Sequence, residues 1–368
     1  MDIKKRDFIT AGSMLGLGLA ASAASAQDAR PASRRGGGGG GDEEGGGPGN
    51  GPVNTGKQTS SVDLNYKPRR LNKVIELWED GQPVYYTGWG VGPGTDPYEQ
   101  GKKMCKTYAD AINIEFEHGL FDLKDLREFM RGLKDGGGTR SGHRFPATFV
   151  TPPILGLSEA YMYANSWVLG QIWDAGVTGI HICHARDPKA IAVAAHMASR
   201  YPFATPKTRI EGLRGASAAY AASIWGMNNP EYVRVADLWP LNPHGELMFG
   251  LKIEDTYADA HAEENIATPG IAFAEWGPTD NNYWINGLDG LPVDGRRLDV
   301  GQNPKMMAVR SKVLAACKKS NVKFLNAAST QPGTNYVIDQ IKDGAMIMTS
   351  REDVAFMGRE YTKRKMPI

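Results

Sequence analysis

Eight short runs rich in β-branched, aliphatic and aromatic residues recur along this 368-residue chain, at 84–86, 111–114, 147–151, 179–183, 247–253, 271–275, 323–326 and 345–349. Longer stretches with helical spacing separate them, at 98–109, 123–133, 166–175, 188–199, 253–267 and 303–320. A strand–helix–strand alternation makes successive strands parallel, because only a crossover of a dozen or more residues returns the chain to the same end of the sheet. Eight such units predict a sheet closed on itself, and the patterned stretch from Leu71 to Tyr361 spans roughly 290 residues, suiting one (β/α)8 barrel, for which ~250 residues is typical. The predicted fold class is therefore α/β, a single TIM barrel over 67–368. No internal sequence repeat accompanies the alternation.

What precedes the barrel has a different character. Lys4, Lys5 and Arg6 open onto a modestly apolar run from Phe8 to Ala24, and Ala24-Ser25-Ala26 stands before Gln27. This is the layout of a cleavable export signal over 1–26. Lys5-Arg6-Asp7-Phe8-Ile9 is similar to a twin-arginine signal with Lys in the first place, which predicts periplasmic export of an already folded protein. The run is too short and too rich in Gly and Ala for stable membrane insertion, and no later stretch approaches 18 apolar residues. Residues 27–66 are Gly, Ser, Pro and charge, including six consecutive glycines from Gly36 to Gly41, a flexible linker.

The charge balance is even, 42 Lys+Arg against 41 Asp+Glu, which leaves no positive excess to bind a polyanion and excludes nucleic acid as an expected partner. Cys105, Cys183 and Cys317 are widely spaced and odd in number, which excludes a disulfide framework and a CxxC-type zinc site.

In a barrel of this kind the active site forms where strands end and βα loops begin. Those positions hold Glu115, Glu117 and His118 after the second strand, His184 after the fourth, Glu254 after the fifth and Asp280 after the sixth. Glu254 and Asp280 stand 26 residues apart, one strand–helix–loop unit, so neighbouring parallel strands about 4.8 Å apart would carry them. Two carboxylates that close can share a cation, and oxygen ligands with room for water suit Mg²⁺ or Mn²⁺ better than Zn²⁺. The alternative is that Glu254 simply begins the helix after it, since Glu254-Asp255-Thr256 is an ordinary helix start.

The runs Ile114-Glu115-Phe116-Glu117-His118-Gly119, Leu251-Lys252-Ile253-Glu254 and Gly277-Pro278-Thr279-Asp280 resemble the HpcH/HpaI aldolase family, which includes class II pyruvate aldolases beside citrate lyase beta subunits and 2-keto-3-deoxy sugar acid aldolases. Weaker matches follow in the same order, at Trp173-Asp174-Ala175-Gly176, Arg200-Tyr201-Pro202 and Leu213-Arg214-Gly215. The resemblance implies a homo-oligomeric, metal-dependent carbon–carbon lyase that makes or breaks an aldol bond next to a 2-keto acid such as pyruvate, through an enolate stabilised by Mg²⁺, Mn²⁺ or Co²⁺. Carried over by position, Glu254 and Asp280 are the metal ligands. His118, oriented by Glu115, handles the proton, and Asp174 assists from a neighbouring subunit. The amides around Gly277, Thr279 and Asp280, with Trp89 and Arg214, face the substrate, a small carboxylate or aldol.

Three departures qualify the resemblance. Glu115 stands where the family usually has Asp. The third strand, Pro146-Ala147-Thr148-Phe149-Val150-Thr151, lacks the Arg that steadies the enolate, a loss on the order of 3 kcal/mol in transition-state stabilisation; Arg144, Arg186 and Lys252 are the candidate replacements. Lys252 replaces a Gln and shares the face of Glu254, where it is either a salt-bridged barrel lysine or, as a Schiff-base former, the mark of a different mechanism. In His181-Ile182-Cys183-His184, strand alternation puts His184 on the face opposite His181 and Cys183, so a three-ligand site is not expected and Cys183 reads as a strand residue. The glycines from Gly88 to Gly94 lack the Lys-Ser/Thr of a phosphate loop. Trp225, Trp239, Trp276, Tyr283 and Trp284 are expected at the mouth or at an oligomer interface, and the insertion over 216–243 as a lid. Two further readings follow from the absent Arg: a non-pyruvate, aromatic aldol substrate, or an exported ligand-binding protein without catalysis.

Overall fold

A computed structural model describes residues 54–90, 92, 94–290 and 300–368. The export signal and the linker up to residue 53 lie outside the described residues. The strands are β1 Val84–Trp89, β2 Ala111–Glu115, β3 Ala147–Thr151, β4 Gly179–Ile182, β5 Leu238–Trp239, β6 Leu247–Ile253, β7 Ile271–Trp276, β8 Lys323–Ala327 and β9 Ala345–Thr349. Every pairing is parallel, β4 joins β6 and β9 returns to β1, so eight strands close a barrel. The two-residue β5 pairs beside the start of β6, at Leu238↔Leu247 and Trp239↔Met248.

Strand alternation sorts the side chains into two layers. Val84, Tyr86, Ala111, Ala147, Phe149, Met248, Phe273, Leu325 and Ile347 fill the interior, and Leu77 and Trp78 from the helix Lys73–Glu79 pack beneath them where the strands begin. The outward faces, among them Tyr85, Ile112, Ile114, Ile180 and Phe324, pack against the surrounding helices. The strand-start end is sealed by charge as well. Asp110, fully buried, meets Lys73 Nζ at 3.2 Å, Arg359 Nη2 at 3.0 Å and Arg364 Nη1 at 2.7 Å.

Two expectations change. The insertion over 216–243 folds into the helices Ala219–Trp225 and Asn229–Val235 followed by β5. Trp225 Nε1 donates to Gly176 O and Arg144 Nε donates to Ile224 O; Gly176 and Arg144 precede β4 and β3, so the insertion lies where strands start and is no lid over their ends. Its buried Ala221, Ala222, Ile224, Trp225 and Tyr232 hold it there. The last part of the expected linker is also tied down, since Ser60 N donates to Glu360 Oε1 and Asp63 N to Lys365 O. Cys105, Cys183 and Cys317 are free and buried. Among the described residues no helix is long and apolar enough to cross a membrane.

Candidate active site

The C-terminal ends of β2, β4 and β6 bring their charged residues to one point. On β6 the inward positions are Met248, Gly250 and Lys252, with Glu254 next beyond the strand. A Cβ on Gly250 would come within 2.2 Å of the Phe273 ring, so this glycine makes room for an apolar floor of Phe273, Phe149 and His181, whose rings lie 4.9–5.8 Å apart. Above that floor the Lys252 Nζ lies 3.1 Å from Glu117 Oε2 and 3.4 Å from Glu254 Oε2. The Cys183 thiol donates to the same Glu117 oxygen at 2.8 Å. Glu117 reaches the interior because the chain turns sharply after β2, its own N–H donating to Glu115 Oε1 at 2.6 Å. Donor atoms of Glu117, Cys183 and Glu254 all lie within 4.8 Å of one another.

His184 arrives by a backbone turn that alternation does not foresee. Its φ is +45°, in the left-handed region that costs a non-glycine residue about 1 kcal/mol or more. That turn swings the ring back to the cluster, with Nε2 3.8 Å from Glu117 Oε1 and 4.0 Å from Glu254 Oε1. The expected outward direction of His184 is thereby overturned. Its N–H donates to Glu254 Oε1 at 2.9 Å, and its Nδ1 lies 2.6 Å from Asp255 Oδ2. Arg186 Nε donates to the same Asp255 oxygen at 2.8 Å, and its guanidinium lies 4.9 Å from the ring centres of Tyr257 and Trp284.

Burial and charge pull these groups apart. Burial lifts the Glu254 carboxyl to about 7, with Glu117 adding to the rise and Lys252 opposing it. Burial acts on Glu117 in the same sense, yet the Lys252 ammonium and the Cys183 hydrogen bond hold it below the ordinary carboxylate range. Burial would lower Lys252, but the surrounding acids keep it well above a free lysine. Burial also pushes the Cys183 thiol up and the His181 imidazole down. Despite burial, the hydrogen bond to Asp255 raises His184, and Asp255 itself is held at about 2. The centre is thus a protonated lysine between one ionised carboxylate and one poised to titrate near neutrality.

The residues singled out in the sequence distribute between the two ends of the barrel. Glu115, Glu254, Lys252 and Arg186 stand at the C-terminal end, and His118 is at its mouth with 67% of its side chain exposed and Nε2 3.5 Å from Glu117 Oε2. Gly277 packs against Glu254, where a Cβ would sit 2.6 Å from Glu254 Cβ. Its N–H is committed to Ile253 O and Pro278 has none, so the open amides at the start of the helix Pro278–Asn286 are those of Thr279 and Asp280. Asp280 lies in that first turn, partly buried. Trp89 faces outward, stacked on Phe129 at 3.8 Å. Asp174 and Arg214 sit with each other, Nη2 to Oδ1 3.7 Å, at the strand-start end, where Arg214 is enclosed by Trp173, Tyr201 and Tyr232. Arg144 is at that end too. Of the five rim aromatics expected, Tyr283 and Trp284 are exposed on the helix after β7, Trp276 is buried, Trp225 lies in the insertion and Trp239 stacks on Trp78. Sequence reasoning missed Cys183 and Asp255 as site residues; the inward parity of Cys183 with His181 was the available signal.

Fold and site together define a closed parallel α/β barrel whose strand ends hold a buried lysine between acids. Solved structures with this fold include an HpcH/HpaI aldolase/citrate lyase family protein from Burkholderia cenocepacia J2315, 21% identical over 79% of this chain and 97% of that one, at a TM-score of 0.56. An HpcH/HpaI aldolase from Desulfitobacterium hafniense DCB-2 is 16% identical over 78% and 93%, at 0.54, and macrophomate synthase is 18% identical over 82% and 91%, at 0.54. No family model matches the sequence, and a search of curated proteins returns no match. The resemblance read from the motifs is borne out as a shared fold.

Proposed function

We propose that this protein is a carbon–carbon lyase of the aldolase type, acting next to the carbonyl of a 2-keto acid with the help of a divalent cation. The observation that carries the reading is the Glu117–Lys252–Glu254 cluster at the catalytic end of an aldolase-like barrel. The donor set suits a cation: two buried carboxylates and a sulfur lie within 4.8 Å of one another, with Asp280 as the proposed further carboxylate ligand. Oxygen donors favour Mg²⁺ or Mn²⁺. When bound, such an ion polarises the keto oxygen and stabilises the negative charge that develops on it.

The chain's own residues supply the rest. The amides of Thr279 and Asp280, at a helix N-terminus, receive the substrate carboxylate. His118, at the mouth beside Glu117 and with Glu115 behind, takes the hydroxyl proton of the aldol. The carbon–carbon bond then breaks, leaving an aldehyde and an enolate, and the enolate carbon takes a proton back. The Lys252 ammonium supplies positive charge where β3 offers only Phe149 and Thr151, and Arg186 supplies a second cation at the rim. In assemblies of several copies Asp174 is proposed to serve a neighbouring site. The export signal expected over 1–26 is proposed to send this activity to the periplasm, and N-terminal sequencing of the mature protein is expected to begin at Gln27.

Proton NMR of pyruvate in D₂O tests the reading. Loss of the methyl signal with Mn²⁺ or Mg²⁺, suppressed by EDTA and by Glu254→Ala, is the expected result; no exchange with metal bound removes pyruvate from the substrate class. Arg186 between Tyr257 and Trp284 favours a second reading, a larger aromatic aldol. Faster turnover of aromatic 3-hydroxy carbonyl compounds than of pyruvate aldols would select it, and inertness to both would leave a carboxylate-binding protein.

A further inference from the structure

We infer that Lys252 is the resident cation of the Glu117–Glu254 cradle and that it sets how tightly the site holds a divalent metal, because the ammonium and the metal ion compete for one seat. This deepens the proposed function and rests on its reading of the strand ends as a cation site.

Lys252 Nζ stands 3.1 Å from Glu117 Oε2 and 3.4 Å from Glu254 Oε2, while the donor atoms of Glu117, Cys183 and Glu254 span no more than 4.8 Å. A divalent ion held by these same carboxylates would need to stand at coordination distance from them, about 2.0–2.1 Å for Mg²⁺, and so would compete for the space that the ammonium fills. Two cations cannot share so small and so buried a volume without strong repulsion. Lys252 and Glu254 are 8% and 1% exposed, so little water is at hand to screen them.

The lysine has somewhere to go. Its stem is four flexible carbons, and its register partner on β7 is Glu275, a third acid facing the same interior. Metal entry therefore exchanges one cation for another on the carboxylate pair, with the ammonium moving toward Glu275. The exchange gives the enzyme a positive charge at this point with or without metal, and weakens metal binding relative to a neutral side chain at the same place.

The test is Mn²⁺ affinity, measured by calorimetry and by the EPR signal of free Mn²⁺, in the mature protein and in Lys252→Gln, Lys252→Met and Lys252→Arg, with thermal melts to verify folding. Both neutral variants are expected to bind Mn²⁺ at least tenfold more tightly than the parent, and Lys252→Arg no more tightly than the parent. Adding Glu254→Gln is expected to abolish the gain. Equal or weaker binding in both neutral variants overturns the inference, as does a gain that survives Glu254→Gln. Failure of the lyase reading looks different: metal affinity responds to Lys252, yet no variant exchanges the methyl protons of pyruvate or cleaves an aldol.

Discussion

The barrel buries carboxylates at both ends and treats them in opposite ways. At the strand-start end a single acid, Asp110, faces three cations, Lys73, Arg359 and Arg364, and also accepts from Tyr85 N at 3.0 Å. Although burial opposes ionisation, the three cations hold its carboxyl far below the usual range. At the other end the proportion is inverted, with Glu117 and Glu254 sharing the one ammonium of Lys252, and Glu254 rises to about 7. Acid outnumbered by cation makes a permanent lock between the barrel and its C-terminal segment. Cation outnumbered by acid leaves a site that still gains from taking up positive charge, as a proton or a metal ion.

The largest effect expected from breaking this contrast is at the lock. Asp110→Asn strands three buried cations without a counter-charge, and equilibrium denaturation is expected to show a loss of about 3–5 kcal/mol. A loss below about 1 kcal/mol would mean that the lock is not what fastens the C-terminal segment.

An intermediate effect is expected at the site, and its sign follows from linkage. Glu254 rises from 4.5 to about 7 on folding, so its protonated form stabilises the fold below about pH 4.5 and that contribution is lost as pH rises through 7. Its size is on the order of 1–3 kcal/mol. Glu254→Gln is expected to flatten the fall in stability between pH 5 and 8, an unaltered profile assigning the slope elsewhere. Asp255 behaves oppositely: it is lowered from 3.8 to about 2, and its stabilisation, present above about pH 4, is lost as pH falls through 2.

The smallest effect on stability is expected at Asp174. Its side chain is 44% exposed and 3.7 Å from Arg214, and such pairs contribute about 0–1 kcal/mol. Asp174→Asn is therefore expected to melt within a few degrees of the parent while lowering kcat in the assembled protein tenfold or more. An unchanged kcat would confine Asp174 to the strand-start end.

The eight strands were legible because buried parallel strands are short apolar runs bounded by turns and helices, and all eight begin at the residue where the sequence run begins. Glu254, Glu115 and His118 were legible as residues just past those runs, and Lys252 as the strand residue that shares the face of Glu254. The adjacency of Glu254 and Gly277 follows from the β6–β7 register, Ile253↔Trp276, and Asp280 falls three residues further along, one turn into a helix. Arg144 before β3 and the insertion before β6 were misread because a linear pattern does not say which end of a barrel a loop covers.

Sequence alone thus determined the fold class, the order of the strands and which chemical groups stand at their ends, since hydrophobic periodicity and strand parity are local properties of the chain. Tertiary structure decided which of those groups meet. A left-handed turn at His184 reversed the direction that parity implies, a sharp turn after β2 brought Glu117 over the Cys183 thiol, and closure of β4 onto β6 set Lys252 between two carboxylates. Charges in a buried site are set by three-dimensional neighbours at a few ångströms, and residues as far apart as Glu117 and Lys252 carry no local signal of that meeting.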